Sequence, residues 1–306
     1  EARAPLPAGS RRSATSGAGE TRLSPLVRRL IADNGLDASH IDGTGRNGRI
    51  THEDVEALLR TRKSAKPAQT SKAQGGRVPH DSMRKAIAAH MAHSLAIAPH
   101  VTAVFDADFS AIAAHRTKHK DAYAKANAPL TYSAYIVRAA AEAMKVSPNV
   151  NARWHDDFLE VFEDANIGMG VALGEKGLIV PVIQRAQTLS LKGTAAKLGD
   201  LTERARKNAL KPADVQGGTF TISNHGVSGS LIAAPIIINQ PQSAILGVGK
   251  LEKRVVVRDI GGSDAIVVRP MAYVSLSIDH RVLDGHQTNA WLTRFVEVLE
   301  TWPLED

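Results

Sequence analysis

Residues Tyr273 to Gly285 read Y-V-S-L-S-I-D-H-R-V-L-D-G, and in them a periodic strand runs into a cluster of ionisable side chains. Ala272, Val274, Leu276 and Ile278 alternate with Tyr273, Ser275 and Ser277. That period of two predicts a strand with one buried face. The strand delivers Asp279, His280 and Arg281 to its end, with Asp284 four residues beyond His280 and Gly285 closing a turn before a helical pattern. A histidine at a strand terminus, with a carboxylate on the same short loop to fix its tautomer and ring orientation, is the arrangement a general base needs. Taken alone, a His near an Asp is more often an ordinary surface pair, so the case for His280 rests on the remainder of the chain.

A second stretch, Gly217 to Gly226, reads G-G-T-F-T-I-S-N-H-G. Phe220 and Ile222 face one side of a strand, while Thr219, Thr221 and Ser223 place hydroxyls on the other. Such a face is usually only the wet side of a strand. D-H-R-x-x-D-G at a strand end, with T-I-S-N upstream of it, changes the weighting: the region from about Val78 to Trp302 resembles the catalytic domain of the dihydrolipoamide acyltransferases, core components of 2-oxo acid dehydrogenase complexes. That domain is itself similar to chloramphenicol acetyltransferase.

The resemblance implies roles for particular residues. His280 is the base that takes a proton from the coenzyme A thiol, which is largely protonated near pH 7 by analogy with a free cysteine at about 8.5. The hydroxyl of Ser223 donates a hydrogen bond to the oxyanion of the tetrahedral intermediate. Asp284 orients the loop by pairing with an arginine of the first helix, for which Arg84 in M-R-K is the candidate, and Asp279 and Arg281 are structural. The resemblance also implies a homotrimer with the active site between subunits, so that Ser223 and His280 come from neighbouring chains, and assembly of trimers into a large hollow cage. Succinyl is favoured over acetyl and branched-chain acyl groups from the stretch Gly229 to Gly247 and from the N-terminal module described next. Two other readings stay open: a non-catalytic scaffold of the same complex, and a Ser-His-Asp hydrolase, against which stands the lack of a G-x-S-x-G elbow around Ser223.

Upstream, Ser24 is an expected N-cap with Pro25 at the first helical position, and Leu26, Val27, Leu30 and Ile31 form an apolar face ending at Asn34-Gly35. A glycine-rich turn, Gly43 to Ile50, leads to a second helix from Thr51, where Asp54 suits a capping box and Val55, Leu58 and Leu59 face inward. S-P-x-V-R-R-L with G-T-G-x-N-G-R-I resembles the peripheral subunit-binding domain of the same acyltransferases. This implies that Arg28 and Arg49, with Arg29 beside them, meet acidic side chains of dihydrolipoamide dehydrogenase or of the 2-oxo acid decarboxylase. Ala32 stands where several members carry a further arginine. A dinucleotide site in this loop is not supported, since no strand precedes it.

The expected domain plan is a disordered linker over 1–22, the subunit-binding domain over 23–60, a flexible linker over 61–76 and the catalytic domain over 77–306. The expected fold class is α+β: a layered, chloramphenicol-acetyltransferase-like domain with a mixed sheet, preceded by a two-helix module. Within it, Met83, Ile87, Met91 and Leu95 mark one stripe of a first helix, and further helices are expected over Phe109–His119, Ser133–Val146, Ser190–Ala209 and Asn289–Thr301. Strands are expected over Val101–Asp106, Ile167–Leu173, Gly177–Ile183, where Pro181 suggests an edge, a bulge or a local break in pairing, Thr219–Ser223, Ala244–Gly249, Arg254–Val257 and Ala265–Val268.

Composition sets the outer bounds. Of 306 residues 43% are hydrophobic, as in a globular protein, and the net charge is 38 − 31 = +7. Residues 1–75 carry 13 basic and 8 acidic side chains, leaving 25 and 23 for the rest. The basic excess therefore lies in the N-terminal quarter, which argues for an acidic partner there and against nucleic-acid binding by the core. Absence of cysteine removes disulfides and thiolate metal sites. No run reaches the length needed to span a bilayer, so no membrane is expected; the resemblance implies bacterial cytoplasm or mitochondrial matrix as the location. No metal and no tightly bound cofactor are expected. The resemblance implies coenzyme A and a lipoyl group as substrates, and since no D-K-A tripeptide occurs here the lipoyl group is expected to be attached outside this sequence.

Overall fold

The structure, a computed structural model, describes residues 23–38, 41–46, 48–64, 75–173 and 177–305, without the side chains of 60–64. The linker expected over 1–22, and most of that expected over 61–76, lie outside the described residues. By compactness the chain divides into two units, one ending at Pro79 and one beginning at His80.

In the first unit, α1 (Pro25–Asp33) begins where Ser24 Oγ accepts the Val27 N–H at 3.3 Å and Pro25 supplies a fixed φ. It ends at Asn34, after which Gly35 takes φ +58°. Val27 and Ile31 from α1, Ile41 and Ile50 from the loop and Val55 from α2 (His52–Ser64) make the core. Leu26, expected inward, is 60% exposed. One residue is 100° of helix, so centring the buried arc on Val27 and Ile31 turns Leu26 outward.

The loop between these helices is closed by one carboxylate. Asp54 accepts from the Thr51 N–H at 2.8 Å, the Thr44 N–H at 3.0 Å and the Thr44 hydroxyl at 2.7 Å, while its own N–H donates to Thr51 Oγ1 at 3.3 Å. The Thr51 N–H first, and then the hydroxyl and N–H of Thr44, hold the Asp54 carboxyl well below the usual carboxylate range. Because the folded value is depressed, this stabilisation is complete at neutral pH. It declines once the pH passes below the unfolded value of about 3.9 and is lost toward the folded one. Thermal unfolding followed on the Val27 and Val55 methyl resonances is expected to be constant from pH 7 to 5 and weaker at pH 3. Asp54→Asn is expected to unfold earlier at pH 7 and to lose most of that pH dependence.

The second unit begins with α3 (Ser82–Ile97), capped by Asp81, and continues through β1 (His100–Asp108), α4 (Ser110–Lys125) and α5 (Tyr132–Ala143). Short strands follow: β2 (Ala152–Trp154), β3 (Leu159–Val161), β4 (Ile167–Met169), β5 (Val171–Ala172), β6 (Leu178–Ile179) and β7 (Val182–Ile183). Then come α6 (Leu191–Arg206), β8 (Phe220–Asn224), β9 (Ala244–Val248), β10 (Glu252–Asp259), β11 (Asp264–Asp279) and α7 (Gly285–Glu300). The main sheet runs β1-β11-β9-β8-β4-β7, with β10 paired to the first half of β11. It is mixed: β4, β8 and β9 are parallel, and the remaining pairs are antiparallel. Helix α7 packs on β1 and β11, and α5 packs on α7 and α6. The core this closes includes Trp291 stacked on Phe295 at 5.2 Å, beside Phe220. This is the layered α+β arrangement expected from the sequence.

Several boundaries differ from expectation, each for a local reason. The expected strands Ile167–Leu173 and Gly177–Ile183 are both divided, because Pro181 has no N–H to donate; its carbonyl accepts from Met169 at 2.9 Å, and β5 and β6 pair separately. The expected strands at Ala265–Val268 and Ala272–Ile278 are one strand of 16 residues that carries Pro270 within it. The helix expected to run to Val146 ends at Ala143, and Pro148 instead opens a 3-10 turn. The stripe on α3 is largely open in a single chain, with Met83 68%, Ile87 43% and Leu95 55% exposed. No helix among the described residues is long and apolar enough to cross a membrane.

Candidate active site

His280 follows the last residue of β11. The turn is held on every side: the Asp279 N–H donates to Ser243 O at 2.8 Å, the His280 N–H donates to Pro99 O at 2.9 Å, and Asp279 O accepts from Val282 and Leu283. The Asp279 carboxylate is 2% exposed and takes the Arg281 N–H at 3.0 Å, together with a bidentate guanidinium. The His280 ring itself is exposed. A fixed backbone carrying an accessible imidazole suits proton transfer to a bound substrate.

Asp284 is not against that ring. It is the N-cap of α7: its carboxylate accepts the Gln287 N–H at 2.9 Å, and the Gln287 side chain accepts the Asp284 N–H at 3.4 Å. The sequence carried the signal, since Asp followed three residues later by Gln is a capping-box pattern. This cap starts α7 four residues earlier than the expected Asn289. Arg84 lies in the first turn of α3, exposed, with its N–H on the Asp81 carboxylate at 2.6 Å. The structure of one chain does not bring the Arg84 guanidinium and Asp284 together.

Ser223 lies near the end of β8, half-buried, on the hydroxyl face. The other two hydroxyls are committed, Thr219 to Asn151 at 2.6 Å and Thr221 to Gln242 at 2.7 Å. Ser223 Oγ makes no hydrogen bond among the described residues, which leaves it available as a donor. Beside Thr221 a cavity of about 440 Å³ opens between Gly217, Gly218, Asn239 and Gln242. The register partner of Ser223, Gly247 on β9, is tightly enclosed: a Cβ there would lie 2.5 Å from Ser275 Oγ and 2.6 Å from Ile236 Cδ1, so those side chains would have to shift. His225, which the sequence reading passed over, is pushed by burial toward the neutral imidazole, with the Ser230 backbone opposing.

The register fixes the separation of the two candidate groups. Ser223 aligns with Gly247, and Gly247 with Ser275. His280 lies five residues further along β11, so within one chain the two are about 17 Å apart along the strands and about 10 Å across them. Ser223 is near the C-terminal end of β8, whereas His280 lies beyond the level at which β8 begins.

In the first unit Arg28 and Arg29 line a cavity of about 360 Å³ with Leu23, Pro25 and Ala32. Arg29 also reaches Asp33 at 4.0 Å, and Arg49 is exposed beside the Gly45–Arg49 bridge.

Fold and site together define an acyltransferase core with a small binding module ahead of it. Residues 72–304 match the family model of the 2-oxoacid dehydrogenases acyltransferase (catalytic domain), and residues 21–56 that of the e3 binding domain. The chain belongs to this family, the acyltransferase components of 2-oxo acid dehydrogenase complexes. It is 39% identical over 281 residues to the dihydrolipoyllysine-residue succinyltransferase component of the 2-oxoglutarate dehydrogenase complex of Rickettsia conorii, covering 91% of this chain and 70% of that one. It is 37% identical to the lipoamide acyltransferase component of the branched-chain alpha-keto acid dehydrogenase complex of Bacillus subtilis, covering 92% and 71%. Among solved structures it is similar to a probable dihydrolipoamide acetyltransferase from Listeria monocytogenes, with TM-score 0.70 and 37% identity, covering 74% and 95%. It is also similar to the dihydrolipoamide acetyltransferase of Azotobacter vinelandii, with TM-score 0.69 and 31% identity, covering 77% and 96%; that structure is described as probing a serine, a histidine and an asparagine four positions after the histidine in catalysis.

Proposed function

We propose that this acyltransferase moves an acyl group between a lipoyl thioester and coenzyme A at a site built from two chains, with His280 from one and Ser223 from the next. The observation that carries the reading is the register of the main sheet, which separates the two groups by about 17 Å along the strands and about 10 Å across them, so that neither can reach the other within the chain. The Azotobacter enzyme supports the role of His280, because the histidine probed there is followed four positions on by an asparagine, where this chain has Asp284 four positions after His280.

The chemistry follows from the groups present. Neutral His280 removes the proton of the coenzyme A thiol as its sulfur attacks the acyl carbonyl, forming the new carbon–sulfur bond. The carbonyl oxygen becomes an oxyanion, and the Ser223 hydroxyl donates to it. Collapse breaks the bond to the lipoyl sulfur, and that thiolate takes the proton back from the imidazolium. No bond to the enzyme forms, since both sulfurs belong to substrates. Asp279 and Arg281 hold the turn, and Asp284 holds its junction with α7. Burst-free exchange between acyl-coenzyme A and dihydrolipoamide tests the reading; acyl release to water without a thiol acceptor would instead support a hydrolase.

A homotrimer, and a larger core built from such trimers, is the assembly we propose; a cubic core is described for the pyruvate dehydrogenase multienzyme complex. For the acyl group we favour succinyl, on the similarity to the Rickettsia succinyltransferases. The branched-chain and acetyl relatives at 37% and 35% identity are the competitors. Succinyl-coenzyme A is expected to give a kcat/KM at least about tenfold above acetyl- and isobutyryl-coenzyme A, a discrimination within reach of a few polar contacts. Equal values, or a preference for isobutyryl, would reassign the complex.

The first unit is proposed to dock dihydrolipoamide dehydrogenase or the 2-oxo acid decarboxylase through Arg28 and Arg49. Reversing both to glutamate is expected to weaken docking of the cognate partner by about a hundredfold at low salt, with less effect at high salt. Calorimetry at two ionic strengths measures this, and catalysis by the core on free substrates is expected to be unchanged.

A further inference from the structure

The turn that presents His280 is braced from outside β11. Asp279 is a buried carboxylate, and such a group is costly unless fully paired. Arg281 pairs with it through Nε at 3.0 and 3.1 Å, through Nη2 at 2.6 Å and through its own N–H at 3.0 Å. These bonds bridge the residue between them, so the position of the His280 Cα depends on where the guanidinium lies. The guanidinium in turn lies 5.3 Å from the ring centre of Trp154, within the range of a cation–π contact.

Trp154 is itself well placed. It ends β2, paired with Leu159 on β3. At the base of this hairpin the Ala152 N–H points to Ser243 Oγ at 3.4 Å, and Ser243 Oγ donates to the carbonyls of Asn149 and Val150, both at 2.9 Å. The carbonyl of the same Ser243 accepts the Asp279 N–H. At the tip, His155 stacks on Phe158 at 4.3 Å and reaches Glu160 at 3.0 Å. One residue thus ties the hairpin and the end of β11 together, and the Trp154 ring makes a second contact between them.

We propose that Trp154 is a positioning residue for the reaction: from the β2–β3 hairpin it holds Arg281 on Asp279 and thereby sets the position of His280. This rests on the assignment of His280 as the base. The test is steady-state acyl exchange by the full chain carrying W154A, W154F, R281K, the W154A/R281K pair and H280A. W154A is expected to lower kcat about tenfold, with KM for coenzyme A and for dihydrolipoamide within about twofold, because misplacing a reacting group by less than 1 Å has effects of this order. W154F, which keeps a π face, is expected to recover most of the loss. The pair is expected to be no worse than the poorer single variant, since both changes release one brace.

Wild-type kcat in W154A, a loss that W154F does not recover, or a pair whose defects multiply would each overturn the proposal. W154L, which keeps apolar bulk without a π face, takes the place of W154A if that variant does not fold. H280A separates the two levels: full activity in H280A removes the base itself, whereas an inactive H280A beside an unimpaired W154A removes only the role of Trp154.

Discussion

Alanine at position 280 is expected to lower kcat for acyl exchange by about 10²- to 10⁴-fold, the range typical of a lost general base. The protein is expected to remain folded, because the His280 contact that holds the turn is its backbone N–H on Pro99, which alanine keeps, and the ring is exposed. KM for both thiols is expected to change little, since the ring acts on the proton in flight more than on the bound ground state. The deficit is also expected to shrink as pH rises toward the thiol pKa of about 8.5, where solution supplies thiolate without a base. A uniform loss at all pH values would instead indicate a damaged binding site. Assays with dihydrolipoamide and acyl-coenzyme A from pH 6.5 to 9 distinguish these outcomes.

Alanine at Ser223 is expected to cost about 10²- to 10³-fold in kcat, roughly 3 to 4 kcal/mol of transition-state stabilisation, as for other oxyanion donors. Ser223 is half-buried and its Oγ has no hydrogen-bond partner among the described residues of its own chain, so removing it leaves no buried group unpaired there. Its loss is expected to have no dependence on thiol ionisation, because the donor acts on the carbonyl. The contrast in pH behaviour between the two variants therefore assigns the roles independently. A Ser223→Ala enzyme with near-normal kcat would move the oxyanion donor elsewhere, and His225, two residues on, would be the next side chain to replace.

What the sequence disclosed was local. Alternation from Ala272 to Ile278 announced a strand, and hydroxyls alternating with Phe220 and Ile222 announced another; both lie in the main sheet. Ser24 and Asp54 were readable as caps because capping acts within three residues. Asp284 caps α7, a contact that Gln287 three residues on makes legible in the sequence, whereas its pairing with Arg84 is not formed within one chain. Joining two stretches into the one long β11 depended on partners far away in sequence, β10 for its first half and β1 and β9 for its second. The brace of Trp154 on Arg281 likewise joins segments more than a hundred residues apart, and no local period encodes it. The separation of Ser223 from His280 was unreadable for the same reason, since it depends on strand order and direction.

That separation can be tested without a structure of the assembly. His280→Ala and Ser223→Ala chains are each expected to be nearly inactive alone. Coexpressed in equal amounts and randomly assembled in a closed ring, they form an intact Ser223–His280 pair at about one interface in four, so activity is expected to return to about a quarter of wild type. Mixed assemblies no more active than the two parents would contradict a site shared between chains.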